Sequence, residues 1–313
     1  VEVTNEDGSE YATFTSYLNG VTDMGALHVE IDIFAAIYAT PVGSSYVRIW
    51  GVPLTLIAQG KDFNGKRIKV YGGMQKGLPL ANPRQAGLLA TGIVNQGFGN
   101  WSGTNQSLDL VMRAADGTAA EPKNIVLDWR KNTQISAALQ STLSYAFPGR
   151  ALAINISASL VQGRDETGYW ETLPQFATWL KAKTRAMKGG DYAGVDIAAV
   201  GDSIRAYDAT SSANPLEVQF NDMIGQPTWI DPATVQVTCV MRADVGVGDY
   251  IHLPRAQVTT TPQSLSQFRD ASVFQGAFLV KQVRHVGAYR QPDAAAWVTV
   301  IDANPAPGMA GAA

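Results

Sequence analysis

A single cysteine, Cys239, among 313 residues excludes an intrachain disulfide framework and any metal site built from several thiolates. Charge is scarce as well. Asp, Glu, Lys and Arg make up 16% of the chain, against roughly 25% in an ordinary soluble domain. With a net charge of −3, the sequence lacks the basic excess of an electrostatic nucleic-acid binder. No apolar run is long enough to span a bilayer as a helix, so no membrane insertion is expected. The first residues, Val1–Glu10, have neither a basic start nor an apolar stretch, so no secretory signal is expected. The lone thiol points to a reducing compartment. His28, His252 and His285 stand far apart without paired-ligand spacing, and neither a metal nor a cofactor is expected.

What is present is ordinary hydrophobicity, 46%, which excludes a disordered chain, and enough length for about two domains. Where charge is scarce, the surface is either polar and neutral or covered by permanent contacts, whose centres lose charged residues. Composition alone leaves both readings open.

The pattern along the chain is β-rich, then helical, then β-rich. Val29, Ile31 and Ile33 alternate with His28, Glu30 and Asp32, the period of a half-buried strand. Tyr46–Gly51 and Pro53–Gln59 read as further strands. Asn64-Gly65, with Arg67–Tyr71 after it, predicts a type I′ hairpin turn joining Leu54–Ile57 to that strand. Additional strands are predicted at Ala86–Asn95, Ser107–Ala114 and Asn124–Trp129. A helix follows from Ile135, capped by Asn132 or Thr133 and stopped at Pro148-Gly149. A second is capped by Thr172, buries Leu173, Phe176, Ala177, Leu180 and Met187, and ends in Lys181, Lys183, Arg185 and Lys188 before Gly189. Those cations complement the helix dipole on a solvated end. Strands return at Val195–Val200, Gln236–Arg242, Tyr250–Pro254, Gly276–Val286 and Ala295–Asp302. Cys239 keeps phase with Val235, Val237 and Met241, as a buried inert thiol does. These elements divide the chain into 1–130, a helical connecting region 131–192, a second β-rich domain 193–303 and a flexible tail 304–313.

Several motifs carry chemistry at first sight. Gly201-Asp202-Ser203-Ile204 resembles the nucleophile block of GDSL hydrolases, and Asp249-Tyr250-Ile251-His252 resembles their Asp-x-x-His partner. Ser203, His252 and Asp249 are the right types for nucleophile, base and orienting carboxylate. Asp249 follows Ser203 too closely for the repeated strand–helix units of that fold, so a GDSL-type esterase stands as the alternative only. Gly97-Phe98-Gly99-Asn100-Trp101-Ser102-Gly103 lacks both the spacing and the lysine of a phosphate loop and reads as a loop between strands. Asp165-Glu166 offers paired acids near Tyr169-Trp170, yet adjacent acids point apart, which weakens a wall-hydrolase reading.

Three stretches together resemble the baseplate hub proteins of contractile-tailed bacteriophages. They are Ile68–Pro83 continuing through Gly97–Trp101 to Leu108–Val111; Ile224–Trp229 followed by Arg242–Asp244 and Val247–Pro254; and Phe278–Val280 running through Val283–Gly287 and Arg290 to Trp297–Val300. The resemblance implies a mainly β fold with an α+β insertion: two tube-protein-like antiparallel β-barrel domains plus a small helical region. It implies a non-enzymatic homotrimer in the virion baseplate, made in the host cytoplasm. Its implied partners are a central spike protein, a tail tube or tube-initiator protein and baseplate wedge proteins. DNA would pass transiently through the lumen, and a near-neutral or mildly acidic lining is expected, since it would not hold phosphate. A pyocin or type VI secretion apparatus shares this plan. Under the resemblance, Arg284, His285 and Arg290 are candidate interface residues, and Trp297 belongs to the second barrel.

Overall fold

The computed structural model describes residues 1–18, 21–38, 45–74, 80, 82–114, 123–210, 214–254, 274 and 276–306. The N-terminal β-rich part contains β1 (Glu2–Thr4), β2 (Glu10–Thr13), the short pair β3 (Tyr17–Leu18) and β4 (Val21–Thr22), β5 (His28–Ala36) and β6 (Ser45–Trp50). After α1 (Leu54–Ala58) come β7 (Arg67–Gly72), β8 (Gly87–Ser102) and β9 (Asn105–Ala114). The middle holds β10 (Ile125–Trp129), α2 (Ile135–Ala146), β11 (Ala151–Asn155), β12 (Glu166–Trp170), α3 (Leu173–Lys188), β13 (Asp196–Val200) and β14 (Ser203–Tyr207). The C-terminal part contains β15 (Leu216–Glu217), β16 (Thr228–Asp231), β17 (Thr234–Val240), β18 (Tyr250–His252), β19 (Ala277–Ala288) and β20 (Trp297–Pro305).

One 13-stranded sheet runs through both β-rich parts, in the order β16-β17-β20-β19-β5-β6-β9-β8-β7-β1-β2, with β18 and β15 attached beside β19. The join is β5 against β19, antiparallel from Ala36↔Gln282 to Glu30↔Ala288. The fold is therefore mainly antiparallel β with a small helical region, the class expected from the resemblance. Side chains from β1, β5, β6, β7, β8 and β9 meet in one core that includes Val3, Ile33, Val47, Ile68, Val94 and Leu110. The C-terminal strands bury a second core around Val237, Cys239, Ile251, Phe278 and Ile301. A third core, of the helical region, gathers residues from Ile125 to Ala206, on both sides of the 131–192 span.

The second predicted helix forms as its stripe requires. Thr172 Oγ1 accepts from the Gln175 amide at 3.4 Å, Pro174 occupies the first turn, and Gly189 ends the helix at φ +66°. The first forms without the expected cap. Gln134 occupies the cap position with no side-chain bond, because the Thr133 hydroxyl donates instead to the Arg130 carbonyl.

The hairpin predicted at Asn64-Gly65 is corrected by the structure. Pro53 opens a helix, so Leu54–Ala58 is α1, and Arg67–Gly72 pairs with β1 and β8. Only Gly65 has a positive φ, +79°, while Asn64 stays extended, so the turn lacks the two left-handed residues of type I′. The Gly97–Gly103 segment is likewise mostly strand, since β8 runs to Ser102. Its glycines admit α1 and the turn after it: a Cβ on Gly99 would lie 2.2 Å from Ile57 Cγ2, and one on Gly97 would lie 2.3 Å from the Gly60 carbonyl oxygen. Gly99→Ala is therefore expected to cost about 1–3 kcal/mol in urea unfolding through overpacking, whereas Gly103→Ala, with open space but φ +61°, reports only backbone strain. A loss at Gly99 no larger than that at Gly103 would contradict the close-approach reading. At the C-terminus, Asn304 and Pro305 belong to β20 and the Ala306 amide donates to the Ala277 carbonyl. Strand pairing thus runs into the stretch assigned to the tail, and residues 307–313 lie outside the described residues, as do 75–79 and 81 of the first resembling stretch.

Candidate functional site

Ser203 opens β14, and its hydroxyl donates to the Val200 carbonyl at 2.8 Å. Asp249 lies before β18 and accepts from Arg205 at 2.6 Å and from the Gly246 amide at 2.7 Å. Burial is the main influence on its carboxyl and raises its pKa, against the pull of Arg205. His252, at the end of β18, pairs through Nδ1 with Glu217 at 2.8 Å. Among the described residues no hydrogen bond links these three side chains, and each has another partner. Asp165 and Glu166 also separate: Asp165 accepts from the Lys131 amide, while Glu166 holds Lys183 at 2.5 Å. No group of His, Cys, Asp or Glu among the described residues has the geometry to hold a metal ion. Among the described residues no helix is long and apolar enough to cross a membrane. Cys239 is fully buried and burial pushes its thiol up to about 11, a poor nucleophile at neutral pH.

Arg284 and His285 of β19, and Arg290 just after it, make the following contacts within the chain. Arg284 stands opposite Phe34, stacks over its ring at 4.6 Å, and forks onto Asp32 with bonds of 2.8 and 2.7 Å. That bidentate pair crosses the seam between the two β-rich parts. Arg290 donates to the Met24 and Ala26 carbonyls, and Trp297 Nε1 donates to the Gly73 carbonyl at 2.8 Å. His285 is buried and shares a 2.9 Å hydrogen bond with Thr299 Oγ1.

Burial lowers the His285 pKa from 6.5 to about 4. A buried neutral imidazole binds its proton less readily than the unfolded chain does, so stability is full above about pH 6.5 and falls as the pH drops toward 4. The predicted loss is roughly 3 kcal/mol at one pKa unit per 1.4 kcal/mol. His285→Asn is expected to flatten the unfolding free energy between pH 6.5 and 4; an unchanged slope would assign the acid limb elsewhere.

Residue-type reasoning missed the buried carboxylates. Asp109 of β9 has no exposed side-chain surface and gathers Tyr46, Arg48 at 2.5 Å, Asn100 at 2.6 Å and Ser107 at 3.0 Å. Burial opposes its ionisation, yet those four donors outweigh burial and hold the carboxyl below its ordinary range. Asp196 of β13 sits between Lys181 of α3 and Lys281 of β19, at 2.8 and 2.9 Å, tying the helical region to the main sheet. Arg242 is buried between Asp222 and Asp244. The one available signal was a charge inside an apolar strand, as in Leu108-Asp109-Leu110; the partners are remote in sequence and left none. A cleft of about 830 Å³ at the first core is lined by Phe14, Ile31, Tyr71, Tyr289 and Trp297, with Glu2 accepting from the Tyr71 hydroxyl at 3.0 Å.

The charged side chains thus cross-link parts of the chain that lie far apart in sequence. No protein-family model and no curated protein matches the sequence. Solved structures do match the fold. An E. coli component of the type VI secretion system, itself described as structurally similar to the bacteriophage T4 tail proteins gp27 and gp5, aligns with a TM-score of 0.53 at 10% identity, over 94% of this chain and 78% of that one. A tail protein from Neisseria meningitidis MC58 aligns with a TM-score of 0.50 at 12% identity, over 90% of this chain and 93% of that one. The chain has the fold of these tail-type proteins across nearly its whole length.

Proposed function

We propose that this chain is a structural subunit of a phage tail baseplate: a trimeric hub that joins a six-fold tail tube to a three-fold central spike and leaves an axial channel open for the genome. The observation that carries this reading is the likeness of fold to a type VI secretion component over 94% of the chain. Fold alone does not fix function, but two further features support the reading. A single sheet runs through both β-rich parts, and ion pairs such as Arg284–Asp32 and Lys281–Asp196 brace the sheet and the helical region. A part that transmits force between tube and spike needs such bracing. The partners proposed are sister subunits, the spike, the tube or its initiator, and the wedge proteins, with no catalytic role. The same observation favours a second setting, a hub-like component of a secretion apparatus, with the same geometry and a different cargo.

Native mass measurement of the purified chain is expected to give a trimer, and electron microscopy a ring with an axial channel. Ser203→Ala is expected to change neither. A monomer at all accessible concentrations, with ester or cell-wall hydrolysis lost in Ser203→Ala, would replace the hub by an enzyme.

A further inference from the structure

The two long helices of the central region differ in their solvent faces. α3 exposes Arg185 and Lys188, while its Lys181 and Lys183 pair with Asp196 and Glu166; α2 has no charged residue along its length. The neutrality extends beyond the helix. From Asn132 to Gly163 the only charged side chain is Arg150, which is itself 7% exposed and holds Asp202 at 3.0 Å. On the outer side of α2 stand Gln140, Ser141, Ser144 and Tyr145, the last 84% exposed. Beside it, β11 pairs only with β14 among the described residues. Its sequence, ALAIN, has no charge or proline and its pairing no bulge, the usual protections of a free sheet edge.

A helix left to solvent in this chain looks like α3. We infer that the α2–β11 face is covered by a second copy of the chain, an inference that rests on the trimeric reading above. Of the cations beside this face, Arg150 is paired with Asp202 and Lys188 donates to the Ser157 hydroxyl, so few are left to grip phosphate, which argues against nucleic acid or an anionic lipid surface. The chain itself carries a matching surface. Between Gln85 and Leu108 no residue is charged, and the end of the β8–β9 hairpin leaves Trp101 64% exposed. Tryptophan and tyrosine are the side chains that most often anchor protein contacts.

The two neutral surfaces belong to different cores, the hairpin to the first and α2 to that of the helical region. A ring subunit needs such a pair of unlike faces, one for each neighbour, whereas a two-fold dimer reuses one patch. The hairpin tip of one copy therefore meets the α2–β11 face of the next, and neither side buries an unpaired charge, which would be costly.

The test uses Tyr145→Glu and Trp101→Glu in the full chain. Both side chains are exposed, so circular dichroism and thermal unfolding should match the unaltered protein; Ser144→Glu and Thr104→Glu are the second pair if they do not. Each variant alone is expected to be monomeric where the unaltered chain is trimeric, with self-association weakened at least ~100-fold. Mixed, the two variants are expected to form a 1:1 pair and stop, since one intact junction remains and the ring cannot close. A single variant that stays trimeric overturns the assigned faces while leaving the trimer standing, and so does a mixture that remains monomeric. An unaltered chain that is monomeric throughout removes the trimeric reading and this inference with it.

Discussion

Asp109→Ala is expected to lower the unfolding free energy by about 3–5 kcal/mol, the range for removing one partner of a buried ion pair. The carboxylate has no exposed surface and receives four donors from β6, β8 and β9. Its loss strands the Arg48 guanidinium, the Tyr46 hydroxyl and the Ser107 hydroxyl at one point in the sheet. Arg48 keeps a third of its side-chain surface in water, so the lower part of that range is expected. The pH dependence has a definite sign. The folded carboxyl titrates below its unfolded value, so its stabilisation is full above the ordinary carboxylate range and is lost as the pH falls through it. Urea unfolding at neutral and acid pH checks both points: the gap between parent and Asp109→Ala should narrow in acid. A neutral-pH loss under about 1 kcal/mol, the scale of a surface pair, would mean the cluster is solvated.

Trp129→Ala is expected to be comparably damaging, about 3–5 kcal/mol, and to act on a different part of the molecule. Trp129 ends β10, is fully buried, and packs with Ile135, Leu139 and Phe176 in the core that holds α2 and α3. Its indole also donates to the Thr133 carbonyl at 2.9 Å, fixing the chain just before α2. The cavity left behind should loosen the helical region ahead of the main sheet. Hydrogen exchange is expected to accelerate in α2 and β12 while β19 and β20 keep their protection. Equal acceleration everywhere would make the whole chain one cooperative unit. If α2 forms part of a contact between copies, this variant should also weaken self-association without altering any surface residue.

The strands and helices that were legible owe their signal to local periodicity. The alternation in His28–Ala36 and the apolar stripe of Leu173–Lys188 each follow from one buried face, and both elements formed close to where the pattern set them. Pro53–Gln59 went the other way because so short a stretch of mixed apolar character has no period long enough to separate helix from strand, and Pro53 suits a helix start. Gly97–Gly103 reads as a loop from sequence because glycine usually marks one; here the missing Cβ atoms make room for α1 against a continuous strand. The GDSL-like motif shows the same limit. Its residues are present, but Ser203, Asp249 and His252 bond elsewhere, and spacing alone pointed that way.

By itself the sequence determined the order of β-rich, helical and β-rich segments, the burial of Cys239 and the scarcity of charge, since these depend on residues near one another in the chain. Only the tertiary structure decided where the scarce charges lie. Asp109 with Arg48, Asp196 with Lys181 and Lys281, and Asp32 with Arg284 pair residues far apart in sequence, and a charge can be buried only where folding brings its partner within a few ångströms. The same scarcity leaves the helix of Tyr145 and the hairpin end of Trp101 without a charged residue of their own, which turns a shortage in composition into two particular places on the molecule.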